Sequence, residues 1–149
     1  KIFSRRISLV PNSTSAGWDD KEFNMLFAEN PIDKAYKDDQ GDALSNVDMI
    51  HVANTFSEIW QNEIDSAYKR LLESSSGTEK DKFKAEQEKW VEDTPEALRR
   101  ISENAAATGG SLSQVIEAGD VMEYYRARAA AIYRELYTYE KALNLEYQE

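Results

Sequence analysis

Apolar residues recur along most of this chain at alternating steps of three and four, the spacing that draws one stripe down an α-helix. The first such run is Ala53, Phe56, Trp60, Ile64, Ala67 and Leu71, with Gln61, Asp65, Lys69 and Glu73 on the outer face. It predicts a long helix that opens at Ser45 or Asn46 and stops at Ser74-Ser75-Ser76-Gly77, because glycine readily takes the left-handed exit from a helix. A second stripe runs Phe83, Gln87, Trp90, Thr94, Leu98, Ile101 and Ala105 from a cap at Thr78. Pro95 lies inside it and removes a backbone donor. The stripe keeps its phase on both sides of Pro95, which predicts a kink rather than a break. The third and longest stripe is Val115, Ala118, Met122, Tyr125, Ala129, Ile132, Leu136, Tyr139 and Leu143. Ser111 and Gln114 have the spacing of a capping box at its start.

Three such helices joined by two tight connections can bury their stripes only against one another. The expected fold is therefore all-α: three long antiparallel helices in an up-down-up bundle, with a short N-terminal helix and an irregular N-terminal arm. The short helix starts at Asn30-Pro31-Ile32-Asp33. Asn30 can cap it, Pro31 suits the first helical position and Asp33 places negative charge where the helix dipole favours it. The run Asp38-Asp39-Gln40-Gly41-Asp42 is expected to end it, leaving a helix over 31–38. Residues 1–29 read as the irregular arm, with Ile2, Ile7, Leu9 and Val10 in a short extended stretch, and residues 30–149 as the bundle domain.

Charge narrows the function. The chain of 149 residues carries a net charge of -10. Lys1, Arg5, Arg6 and Lys21 against Asp19 and Asp20 make residues 1–21 net +2, so the remainder carries -12. Such a surface repels phosphate backbones, which argues against nucleic acid and favours cationic proteins as partners. No apolar run approaches the roughly 20 residues that span a bilayer. The chain has no cysteine, which excludes a disulfide framework, thiol catalysis and zinc–thiolate sites. It begins at Lys1 without an apolar leader. We read this as a chain from which a signal segment has been removed, with an upstream lipid anchor compatible; a cytosolic setting is the alternative.

Candidate chemistry is sparse. The single histidine, His51, stands three residues after Asp48, whereas a carboxylate-bridged di-iron bundle needs two Glu-x-x-His pairs. It reads as an ordinary helix residue. Asp38, Asp39 and Asp42 lack the alternating spacing and closing glutamate of a calcium loop. Gly109-Gly110-Ser111 lacks the strand and the lysine of a phosphate loop. No catalytic residue, cofactor or metal is assigned. Tyr125 and Tyr139 fit the third stripe, whereas Tyr124 and Tyr133 fall off it and are candidates for an interaction surface.

Several pieces in order resemble one family. They are Asn30-Pro31-Ile32-Asp33-Lys34, then Trp60-Gln61-Asn62-Glu63-Ile64, Tyr68 with Leu71-Leu72, Gln87-Glu88-Lys89-Trp90, Gly109-Gly110-Ser111, Arg128 and Leu136. Over about residues 30–140 the chain resembles the lysozyme-inhibitor LprI-like domain, a helical domain of bacterial envelope and secreted proteins. Two departures place it in a cysteine-free branch of the Gram-positive type. Asp93-Thr94, followed by Pro95, replaces an aromatic–Arg pair, and Leu98 and Asp120 stand near positions where many members carry cysteines. The resemblance implies a non-enzymatic, extracellular or envelope protein that binds another protein, with a cationic lysozyme-type enzyme as the partner it points to. The alternative is a structural or adaptor module of a larger envelope protein. The oligomeric state stays open.

Glu63, Gln87 and Arg128 are polar yet lie beside apolar stripes. A buried arginine left without a partner is strongly destabilising. Arg128 is therefore expected to meet Glu63 or Gln87 inside the bundle, beside Trp60 and Trp90. Together with Tyr68 these residues form one candidate cluster, which either binds a ligand or only sets helix register.

Overall fold

The computed structural model describes residues 7–9, as backbone, and residues 19–148. In chain order the elements are β1 (Ile7–Leu9), α1 (Asp19–Ala28), α2 (Pro31–Asp42), α3 (Asn46–Ser74), α4 (Gly77–Thr108), α5 (Ser113–Glu140) and β2 (Leu143–Leu145). The domain is an all-α bundle around α3, α4 and α5, with one small antiparallel strand pair attached.

Side-chain hydrogen bonds fix how the long helices lie. From α3 to α5 they rise in step: Asn46 Nδ2 donates to the Ser111 carbonyl just ahead of α5, Tyr133 donates to Glu63, and Arg70 donates to Glu140. From α4 to α5 they run in opposite order, with Gln87 bonded to Arg128 and Thr94 to Tyr124. Helices α3 and α5 therefore run in the same sense and α4 runs against them. The whole α3 stripe, from Ala53 to Leu71, is buried, and so are Met122, Ala129, Ile132 and Leu136 on α5. Ala53, Ala67 and Ala129 are among the most completely buried residues, since small side chains let helix axes approach closely.

Helix α4 is the outer member: only Phe83 and Ala105 on it are buried. Pro95 does not interrupt it. The preceding Thr94 hydroxyl donates 2.7 Å to the Trp90 carbonyl, and Pro95 itself lies on the exposed side, where water can serve the carbonyl that proline leaves unpaired.

The caps follow the sequence at two helices. Asn30 Oδ1 accepts the Asp33 amide at 2.8 Å, and its Nδ2 donates to the Phe27 carbonyl at 2.7 Å, tying α1 to α2. Asp33 then takes a two-pronged bond from Arg126, at 2.8 and 2.6 Å, which docks α2 on α5. Ser45 Oγ accepts the Asp48 amide at 3.1 Å while Asp48 accepts the Leu44 amide at 3.1 Å, closing a reciprocal cap on α3.

Elsewhere the structure corrects the sequence reading. Residues 19–28, expected as part of an irregular arm, form a helix. Its buried face is little more than Phe23 and Phe27, too short for periodicity to register, and it is held by Phe23 edge-on to Tyr137 at 5.9 Å and Phe27 against Trp60 at 5.8 Å. The arm residues 1–6 and 10–18, including Ile2 and Val10, lie outside the described residues. Helix α2 runs through Asp38–Gly41 to Asp42, because Gln40 reaches the Met49 carbonyl and the Tyr36 hydroxyl. The capping box at Ser111 does not form: Leu112 is already in helical conformation, and Ser113 turns back to the Gly110 carbonyl. Leu143 belongs to no helix. Lys141 adopts a left-handed φ of 55° that ends α5, and Leu143 and Leu145 then alternate inward in β2, paired with β1.

Candidate functional site

Arg128 leaves the half-buried side of α5 and spans to α4. Its Nε and Nη2 both donate to Gln87 Oε1, at 2.9 and 2.7 Å, and its guanidinium lies over the Trp90 ring at 5.7 Å. Trp90 stacks on Tyr124 at 5.6 Å and meets Tyr125 edge-on at 5.9 Å. Tyr124 is held in turn by the Thr94 hydroxyl at 2.7 Å. Burial pushes the Arg128 pKa down, and the nearby Glu86 charge partly offsets this. Tyr68 borders the same region, and burial raises its hydroxyl pKa.

An open cleft of about 390 Å³ lies beside this seam, lined in part by Tyr68, Phe83, Glu86, Lys89, Arg128 and Glu135. Its two cationic and two acidic side chains balance, so the lining carries no net charge that would select a ligand of one sign. Its chemistry is that of a helix–helix joint. Gln87 satisfies a guanidinium that could not be buried bare, and the aromatic stack covers the guanidinium face. We expect Arg128→Ala to cost about 1–2 kcal/mol of stability through the lost hydrogen bonds and ring contact. Urea denaturation would measure this, and an unchanged midpoint would show that the seam holds nothing.

The structure divides the cluster expected from sequence. Gln87, Trp90, Tyr68 and Arg128 come together; Glu63 and Trp60 do not join them. Glu63 is buried between α3, α5 and β2, where it accepts from the Tyr133 hydroxyl and, at 3.1 Å, from the Glu146 amide. Tyr133 stands five residues beyond Arg128, a turn of about 140° around the helix, so the two contacts face different neighbours. Next to Glu63, Arg70 makes a two-pronged bond to Glu140 at 3.1 and 2.6 Å, and Ser66 donates to Glu146 at 2.9 Å. Trp60 sits in the core against Phe27, with its indole Nε1 unpaired.

Two of the four tyrosine assignments also change. Tyr133, read as a surface candidate, is buried, and Tyr139, read as core, is 39% exposed. Helix α5 carries a second buried face because α1 covers Tyr137, while on α3 Arg70 lies over the Tyr133 ring at 5.9 Å and Glu63 takes its hydroxyl. Tyr124 is half-buried against Trp90, and Tyr125 packs against the core. His51 is exposed on α3, as expected of an ordinary helix residue.

A feature that the stripes do not contain lies at the end of the bundle where the α2–α3 and α4–α5 connections meet, joined by the bond from Asn46 to Ser111 at 3.2 Å. Leu44 on one connection and Val47 in the first turn of α3 are 93% and 74% exposed, and Leu112 on the other and Ile116 in the first turn of α5 are 53% and 37% exposed. Asp42 and Asp48 stand beside them in the chain and are exposed, as are Asp38, Asp39 and Asp120 in neighbouring turns of α2 and α5, and residues 38–50 and 103–120 contain no lysine or arginine. The sequence signal is four apolar residues in and just after polar connections, off the three stripes.

Residues 37–132, well over half of the chain, match the family described as lysozyme inhibitor LprI. No curated protein and no solved structure matches the chain. The matched span starts within α2 and ends inside α5, so it contains all of α3 and α4, both connections at the acidic end and the Arg128 seam. With that order of elements and residues, the chain belongs to the lysozyme inhibitor LprI family.

Proposed function

We propose that this chain is a non-enzymatic binding protein of the cell envelope or the extracellular space, and that its partner is a cationic enzyme of the lysozyme type. The observation that carries this reading is the family match over residues 37–132. The charge of -10 supports it, because an acidic surface steers a cationic protein to encounter and raises the association rate. The envelope setting rests on the family alone.

The test is to mix the chain with a basic lysozyme and follow both lysis of a cell-wall suspension and co-elution on a sizing column. We expect inhibition and a complex at low ionic strength. Both should fade toward about 1 M salt, where the screening length shrinks to about 3 Å. Full lysozyme activity with no complex at low salt would overturn the reading.

A further inference from the structure

We propose that the loop end of the bundle is the docking surface, and that its occupant is a cationic protein presenting an apolar spot framed by lysines or arginines. The proposal rests on the binding reading above and adds where the partner sits. Four large apolar side chains, Leu44, Val47, Leu112 and Ile116, face solvent on two connections and the first turns of the helices that follow them, which the Asn46–Ser111 bond holds together. Among the described residues the other exposed large apolar ones, Met25, Val91 and Tyr139, belong to three different helices. Isolated exposed apolar residues are ordinary, whereas a group of them at one place, rimmed by polar residues, marks an interaction site.

The rim states the partner's chemistry. Asp38, Asp39, Asp42, Asp48, Glu103, Glu117 and Asp120 fall in residues 38–50 and 103–120, and no lysine or arginine does. Elsewhere the acidic residues are interleaved with bases, as in the pairs of Arg99 with Glu96, Lys89 with Asp93, and Arg126 with Asp33. Of this rim only Glu103 has such a pair among the described residues. A second copy meeting the same end would set acid against acid, a juxtaposition that costs several kcal/mol. A cationic partner gains there, and the apolar centre supplies the desolvated contact on which affinity depends.

The test compares the wild-type chain, Leu44→Ser/Leu112→Ser, Asp39→Asn/Asp42→Asn and the control Val91→Ser for binding to a basic lysozyme by calorimetry. All the replaced side chains are exposed, and equal melting temperatures would verify that each variant folds. Asp48 is left intact because it caps α3. We expect the apolar pair to weaken binding by about tenfold or more. The aspartate pair should weaken it several-fold and flatten its salt dependence, and Val91→Ser should match the wild type. Wild-type binding that survives in both loop-end pairs overturns the placement and leaves the binding reading intact. No binding by the wild-type chain overturns both.

Discussion

Trp60→Ala is expected to lower the unfolding free energy by roughly 3–5 kcal/mol, the range for deleting a buried tryptophan or phenylalanine side chain. Trp60 is fully buried on α3, and Phe27 from α1 packs against its ring at 5.8 Å. Truncation opens a cavity where α1 docks, and α1 has little other buried face with which to adjust. Domains of this size are stable by only about 5–15 kcal/mol, so the variant should melt roughly 10 °C lower. Trp60→Phe is the informative companion. The indole Nε1 has no hydrogen-bond partner, and an unpaired buried donor costs about 1–3 kcal/mol. Both variants remove that donor, but phenylalanine leaves the smaller cavity, so its cost should fall well below that of alanine. Thermal and urea unfolding followed by circular dichroism would measure both. Equal costs for the two variants would mean that the phenyl ring does not fill the space that the indole leaves.

Removal of the Glu63 carboxyl should have the next largest effect. Glu63→Ala strips the Tyr133 hydroxyl and the Glu146 amide of their acceptor inside the fold, which we expect to cost roughly 2–4 kcal/mol. The same carboxyl makes stability depend on pH. Burial raises its pKa above the ordinary 4.5, against the lowering influence of the Tyr133 hydroxyl and the Glu146 and Tyr147 amides. Arg70, whose nearest partners are Glu140 and Glu146, and the Glu146 carboxylate are the charged groups close by. The folded chain thus holds this proton more tightly than the unfolded chain does. The resulting stabilisation is complete below about pH 4.5 and is lost as pH rises through the folded pKa. Glu63→Gln carries no such proton. Its stability relative to wild type should therefore shift in favour of the variant between pH 4.5 and roughly pH 7.5. Denaturation at both pH values would test this, and a difference that stays constant would contradict the raised pKa.

These two residues also show where sequence reading reached and where it stopped. Trp60 was legible as core because α3 repeats its three-and-four spacing over many turns, and every step from Ala53 to Leu71 is buried. Glu63 was singled out from sequence but assigned the wrong neighbourhood. Nothing local to Glu63 tells that the chain just after β2 returns to α3 and presents the Glu146 amide there. For Arg128 the partner Gln87 was one of two named, and Trp90 beside it was expected. Trp60 was expected in the same place and is not.

The amino-acid order alone determined the three long helices, most of their inward faces, the cap at Asn30, the opening of α3 to within one residue, and the continuity of α4 through Pro95. Each is written in residues within a few positions of one another, where period and hydrogen-bond reach are local. Tertiary structure decided the helical state of α1, the strand pairing of residues 7–9 with 143–145, the burial of Tyr133 and the meeting of two connections at the acidic end. Each of these joins segments far apart in the chain. A short element with one or two apolar residues gains its stability only from the surface it lands on, and that surface does not exist until the bundle has formed.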